Sequence, residues 1–230
     1  KLNTGIENPD ASQQYILAQI PINNQWSYTI GGVYKHFFDH GYHSLILSRN
    51  MLNNEFYKYP DNDETKQKSF DYRSQEIENK FRYEFNYQKS GFKYNLGVNT
   101  EYAKYSNETA QQIYASDSLF LLSYNTDINL IKYGFFAQVT KTLFKESLLV
   151  SLGLRTDGNN YNSNMANPLN QFSPRLALGY SLTEQWKING GLGRYYQQPA
   201  YTTLGFRTNS GELANENTAT YIGANHYNIG

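Results

Sequence analysis

Ile77-Glu78-Asn79-Lys80-Phe81-Arg82-Tyr83-Glu84-Phe85-Asn86-Tyr87-Gln88 is the stretch that decides the fold. Ile77, Phe81, Tyr83, Phe85 and Tyr87 fall on odd positions, while Glu78, Lys80, Arg82, Glu84, Asn86 and Gln88 fall on even ones. Side chains of a β-strand alternate between two faces, so this strand has one greasy face and one densely charged face. Such a charged face does not fit beneath the core of a soluble sandwich. It fits a sheet with lipid on one side and water on the other.

The same alternation spreads outward from this segment. Phe92, Tyr94, Leu96, Val98 and Tyr102 oppose Lys93, Asn95, Gly97, Asn99 and Glu101; farther on, Phe172, Pro174, Leu176, Leu178, Tyr180 and Leu182 oppose Ser173, Arg175, Ala177, Gly179 and Ser181. The pattern predicts nine strands near 25–38, 42–58, 72–88, 92–106, 130–143, 147–157, 172–182, 186–197 and 219–230. The stretch 13–20 admits an earlier short strand. The connections alternate in length. Tight turns are expected at Asp39-His40-Gly41, Lys89-Ser90-Gly91, Phe144-Lys145-Glu146 and Thr183-Glu184-Gln185, and long polar loops at 59–71, 107–129, 158–171 and 198–218. Short turns at one end and long loops at the other characterise antiparallel transmembrane β-barrels, whose strands need about 9 to 11 residues to cross. Nine is an odd number, whereas bacterial single-chain barrels have even counts. The run from Tyr221 to Gly230 reads as a strand still in progress, so the expectation is a partial barrel completed by sequence outside this stretch.

Composition agrees with this reading. With 22 Tyr and 13 Phe among 230 residues, yet a mean hydropathy of −0.69, the chain suits aromatic belts on a half-wet sheet better than a large dry core. Lys plus Arg and Asp plus Glu balance at 20 each, leaving no field to attract nucleic acid. Cysteine is absent, which excludes disulfides, thiolate metal sites and thiol nucleophiles. No apolar run approaches the roughly 18 residues of a membrane-crossing helix. The opening Lys1-Leu2-Asn3-Thr4-Gly5 lacks the apolar region of a signal peptide.

Several of these segments carry a family likeness. Phe172-Ser173-Pro174-Arg175 through Tyr180, and then Gly193-Arg194-Tyr195-Tyr196-Gln197-Gln198-Pro199, resemble barrel hairpins of TonB-dependent receptors, particularly those of Bacteroidetes-type bacteria. Trp26 to Gly32, Ser48-Arg49-Asn50 and Asp71-Tyr72-Arg73-Ser74-Gln75-Glu76 are similar too. The resemblance implies a plugged outer-membrane barrel of about 22 strands in a Gram-negative bacterium. It further implies a plug domain, a TonB partner, the lipid bilayer and room for a surface lipoprotein. On this reading residues 1–24 form an extracellular loop or short hairpin and residues 25–230 an internal segment of the barrel. The plug and the remaining strands lie outside this sequence.

The candidate chemistry lies on the charged face and in the loops. Glu78, Lys80, Arg82, Glu84, Lys93, Glu101, Lys132, Arg155 and Arg175 are expected to line the lumen, as a hydrogen-bonded wall or as part of a permeation path. Tyr195, Tyr196, Gln197, Gln198 and Tyr201 offer flat aromatic faces and amides suited to stacking on a sugar or a chelate. The Asn-rich run around Tyr161, Asn162, Asn164 and Asn167 is a lesser candidate. Asp61, Asp63 and Glu64, and separately Asp157-Gly158-Asn159-Asn160, lack the full spacing of a calcium loop. His36, His40 and His43 surround one turn without an evident further ligand, so no metal site is expected. With no G-x-S-x-G elbow and no serine, histidine and acid arrangement, no enzyme and no cofactor are expected. The function implied is TonB-dependent uptake of a nutrient, whether siderophore, glycan, peptide or vitamin. The competing readings are a structural or docking barrel in a secretion or surface-assembly complex, and a soluble β-sandwich binding module.

Overall fold

A computed structural model describes residues 10–115, 118–144, 147–208 and 210–230. Nine antiparallel strands form one sheet in strict sequence order: β1 (Ile22–Phe38), β2 (Gly41–Lys58), β3 (Phe70–Lys89), β4 (Phe92–Ala115), β5 (Ser118–Leu143), β6 (Leu148–Asn159), β7 (Ser173–Ser181), β8 (Lys187–Gln197) and β9 (Ile222–Ile229). Every strand pairs with its chain neighbour, and β1 and β9 remain as edges. The result is a partial barrel wall made of consecutive hairpins.

Tight turns at one end set the register. Lys89 pairs with Phe92 across Ser90 and Gly91, whose φ angles are 53° and 73°. Positive φ at both central residues is the geometry of a type I′ turn, whose twist matches that of the flanking strands. The Asp39-His40 turn, with His40 at φ 70°, closes β1 on β2. Of the expected turn at 144–146, Lys145 and Glu146 lie outside the described residues.

Two expectations give way. The segment 107–129, read as a long loop, is instead the far part of the β4–β5 hairpin, with pairing continuous from Phe92↔Lys141 to Ala115↔Ser118. Hydropathic alternation fades there, although backbone pairing continues. At 3.3–3.4 Å per residue the 26 residues of β5 extend about 85 Å, far more than an apolar band about 25 Å tall requires. The second correction concerns the N-terminal stretch. Where the stretch 13–20 admits a short strand, Ala11–Gln19 form helix α1. Its start is a capping box: Asp10 Oδ1 accepts from the Gln13 amide at 2.8 Å, and Gln13 Oε1 accepts from the Asp10 amide at 3.0 Å. Residues 1–9 lie outside the described residues.

The two faces differ as their patterns require. One carries Ile30, Leu47, Leu96, Ile131, Leu152, Leu178 and Leu192, all exposed. The other holds Glu78, Lys80, Glu101 and Lys132 and bears the only buried core among the described residues: Ala103, Tyr105, Ile128 and Leu130 from the β4–β5 hairpin meet Met165, Tyr201, Leu204 and Ala219 from two loops. A short helix α2 (Ser163–Ala166) lies in the β6–β7 loop, capped by the Asn162 side chain, and α3 (Tyr201–Leu204) lies in the β8–β9 loop. Both loops therefore fold inward over the charged face.

Candidate functional site: the charged face and its two loops

The register converts nine scattered charges into one surface. Pairing of Lys80 with Glu101, Glu101 with Lys132, and Lys132 with Asn159 runs along a single row. Because partners across a ladder share a face, Glu78, Lys80, Arg82, Glu84, Lys93, Glu101, Lys132, Arg155 and Arg175 all lie on the face opposite the apolar one.

Four of them form a neutral quartet. Lys132 Nζ lies 2.6 Å from Glu101 Oε1 and 3.5 Å from Glu78 Oε1, while Lys80 Nζ lies 2.5 Å from Glu78 Oε2 and 3.6 Å from Glu101 Oε2. The Lys132–Glu101 contact is an ion pair without hydrogen-bond alignment. Tyr201 sits on top of this quartet. Its hydroxyl accepts from Lys132 Nζ at 2.5 Å and donates to Glu78 Oε1 at 2.9 Å, and its ring stacks on Tyr105 at 5.6 Å. Burial, with the Glu78 and Glu101 carboxylates beside it, holds the Tyr201 phenol far above the ordinary tyrosine range, so the hydroxyl stays a neutral donor. The quartet carries no net charge, so it positions the loop without creating a local field.

Of the other expected lumen residues, Arg82, Glu84, Arg155 and Arg175 have local partners. Arg82 reaches Glu84 at 2.5 Å and lies over the Phe136 ring. Arg155 holds Asp157 through two hydrogen bonds of 2.6 and 2.7 Å. Arg175 lies 4.3 Å from the centre of the Tyr195 ring, which in turn tilts against His226 at 4.8 Å. Between these groups Gly153, Gly179, Gly191 and Gly193 leave a concavity of about 380 Å³ on the inward face.

The five expected ligand contacts do not converge. Tyr195 and Gln197 face inward and are exposed, whereas Tyr196 faces the apolar side beneath Arg194. Gln198 is tied to Asn159 Nδ2 at 3.1 Å, and Tyr201 is only 8% exposed. Tyr201 and Gln198 thus hold the loop in place. Alternation fixed the face of each residue on β8, but the inward fold of the following loop has no periodic signal.

Loop anchors missed in the sequence surround them. Thr126 Oγ1 donates to the Gly205 carbonyl at 2.5 Å, the Tyr161 hydroxyl to the Leu204 carbonyl at 2.7 Å, and Asn162 Nδ2 to the Glu216 and Ala219 carbonyls at 2.8 and 2.9 Å. The asparagine-rich run, read as a lesser ligand candidate, therefore caps α2 and ties the β6–β7 loop to the β8–β9 loop. His36 and His43 are paired across their hairpin with ring centres 6.3 Å apart, and His43 Nδ1 lies 2.6 Å from the Tyr83 hydroxyl. Among the described residues no group of three or more His, Asp or Glu side chains converges as a metal site.

Residues 3–228 match the family model described as "TonB dependent receptor-like, beta-barrel". No curated protein sequence matches the chain significantly. Among solved structures, one named "Copper transporter OprC" superposes with a TM-score of 0.60 at 16% identity, the match covering 82% of this chain and 33% of that one. At that identity the likeness shows the fold alone. The chain spans about a third of that transporter's length.

Proposed function

The chain belongs to the TonB-dependent receptor-like β-barrel family, and from that premise we propose that it forms part of the wall of an outer-membrane receptor that imports a nutrient with TonB. The apolar face meets lipid and the charged face lines the lumen of a barrel in a Gram-negative outer membrane. One observation carries this reading. All nine expected lumen charges fall on one face, and the two long loops fold onto that same face instead of spreading into solvent.

A plug domain, the TonB complex and a surface lipoprotein are the partners such a receptor would engage. Tyr195 and Gln197, exposed on the inward face beside Arg175 and His226, are the residues proposed to meet cargo. Siderophores, glycans, peptides and vitamins are the classes to test. Copper, the cargo in the name of the structural neighbour, joins that panel on fold likeness only.

The test is growth of a Gram-negative host on each cargo class as sole source, with the full-length gene present or deleted and tonB intact or deleted. Import predicts that one cargo supports growth only with both genes, and that Tyr195→Ala weakens it. If the deletion leaves all uptake unchanged but impairs secretion or surface assembly, the docking-barrel reading replaces import.

A further inference from the structure

On the apolar face a groove of about 510 Å³ runs across β1 to β4. Ile30, Leu47, Phe81 and Thr100 line it, and Arg49 and Asn79 stand at its rim. Along β2 the outward residues change at this height: Leu45 and Leu47 lie on one side of Arg49, and Asn53 and Glu55 on the other, beyond Met51. Trp26, Tyr28 and Tyr102 are exposed around the same rim, as aromatic side chains are at a membrane interface.

Arg49 is held but not neutralised. Its Nε donates to the Tyr28 hydroxyl at 3.0 Å and one terminal nitrogen donates to Asn79 Oδ1 at 2.7 Å, which leaves the rest of its five N–H donors free. Farther from the belt the cations on this face are matched, Arg73 with Glu55 at 3.4 Å and Lys104 with Asp127 at 3.0 Å. Arg49 has no carboxylate partner among the described residues. A planar, pre-oriented guanidinium above an apolar trough, at the height where headgroups lie, is complementary to a phosphate with an acyl chain attached. We propose that this groove binds one phosphate-bearing lipid of the surrounding leaflet, its phosphate on Arg49 and an acyl chain against Ile30, Leu47 and Phe81. The site rests on the apolar face being the lipid-facing one.

Gly32 supplies a variant that fills the trough, since a Cβ there would meet no atom within 4 Å and a longer side chain has open space to enter. The experiment uses the full-length protein in detergent micelles with phosphatidic acid and diacylglycerol of identical chains, and native mass spectrometry counts what is retained. The expected result is retention of one phosphatidic acid in about tenfold preference to diacylglycerol. Arg49→Gln should abolish the preference, Arg49→Lys should keep part of it, and Gly32→Leu should lower retention of both lipids. Equal retention by the wild type, an unchanged preference in Arg49→Gln, or displacement of the lipid by millimolar inorganic phosphate overturns the site. Flotation of the wild type with vesicles separates the two levels. A protein that does not float sinks the barrel reading and the site together, whereas one that floats without lipid preference sinks only the site.

Discussion

Tyr201 shows how one side chain turns a loop into part of a wall. It lies 23 residues after Leu178 of β7 in the chain, past an entire further strand, yet bonds to Glu78 and Lys132 of β3 and β5. Tyr201→Phe keeps the ring stacked on Tyr105 but leaves Glu78 and Lys132 without their hydroxyl partner. Loss of such a bond to a charged group costs about 1–3 kcal/mol. Hydrogen exchange of the 201–205 amides should then quicken accordingly, and Tyr201→Ala should quicken it more. The phenol also sets a pH limit. Because its folded pKa is raised above the unfolded value, its contribution is fully present below about pH 10 and is lost as pH rises through the folded value. Protection of these amides should therefore be flat from neutral pH to that point and fall beyond it in the wild type. If Tyr201→Phe shows the same alkaline fall, another group is responsible.

At the scale of elements, the two inward loops and the β4–β5 hairpin share one core and should behave as a unit. Met165 and Leu204, both 0% exposed, come from different loops and meet over Tyr105 and Leu130. Leu204→Ala should cost about 2–5 kcal/mol locally through lost burial and the cavity left behind. Limited proteolysis should then cut the 158–171 loop as well as the 198–218 loop, although only the second is altered. Independent cutting of the loops would refute the shared core. A glycine on the neighbouring wall marks an equally strict contact. A Cβ at Gly97 would stand 2.3 Å from the Phe136 ring and 2.9 Å from the Tyr83 carbonyl, and Arg82 lies over the other side of that ring. These contacts depend on cross-strand neighbours 14 to 39 residues away, which no local pattern announces.

For the whole molecule, the two faces make opposite predictions about charge. Leu152→Arg at the middle of the apolar face should cost about 2–4 kcal/mol of folding free energy in bilayers, as arginine does at the bilayer midplane. Ala177→Arg on the inward face of the adjacent strand β7 should cost far less. Urea titration of the full-length protein refolded into vesicles measures both, and equal costs would mean that the apolar face does not meet lipid. The asymmetry behind this prediction was legible in the sequence. A strand exposes alternate residues to two environments, so the alternation of residues 77–88 and its recurrence along the chain carried the strand type, the two faces and the side on which each charge lies. Neither helix α1, in a stretch that admits a short strand, nor the strand pairing within 107–129, where hydropathic alternation fades, was legible in the sequence. Only the tertiary structure decided that the β4–β5 hairpin continues beyond the belt, that two loops fold back over the lumen wall, and that Tyr201 and Gln198 serve as anchors. Those outcomes depend on burial between segments far apart in the chain, and local periodicity carries no information about which distant surface a loop will cover.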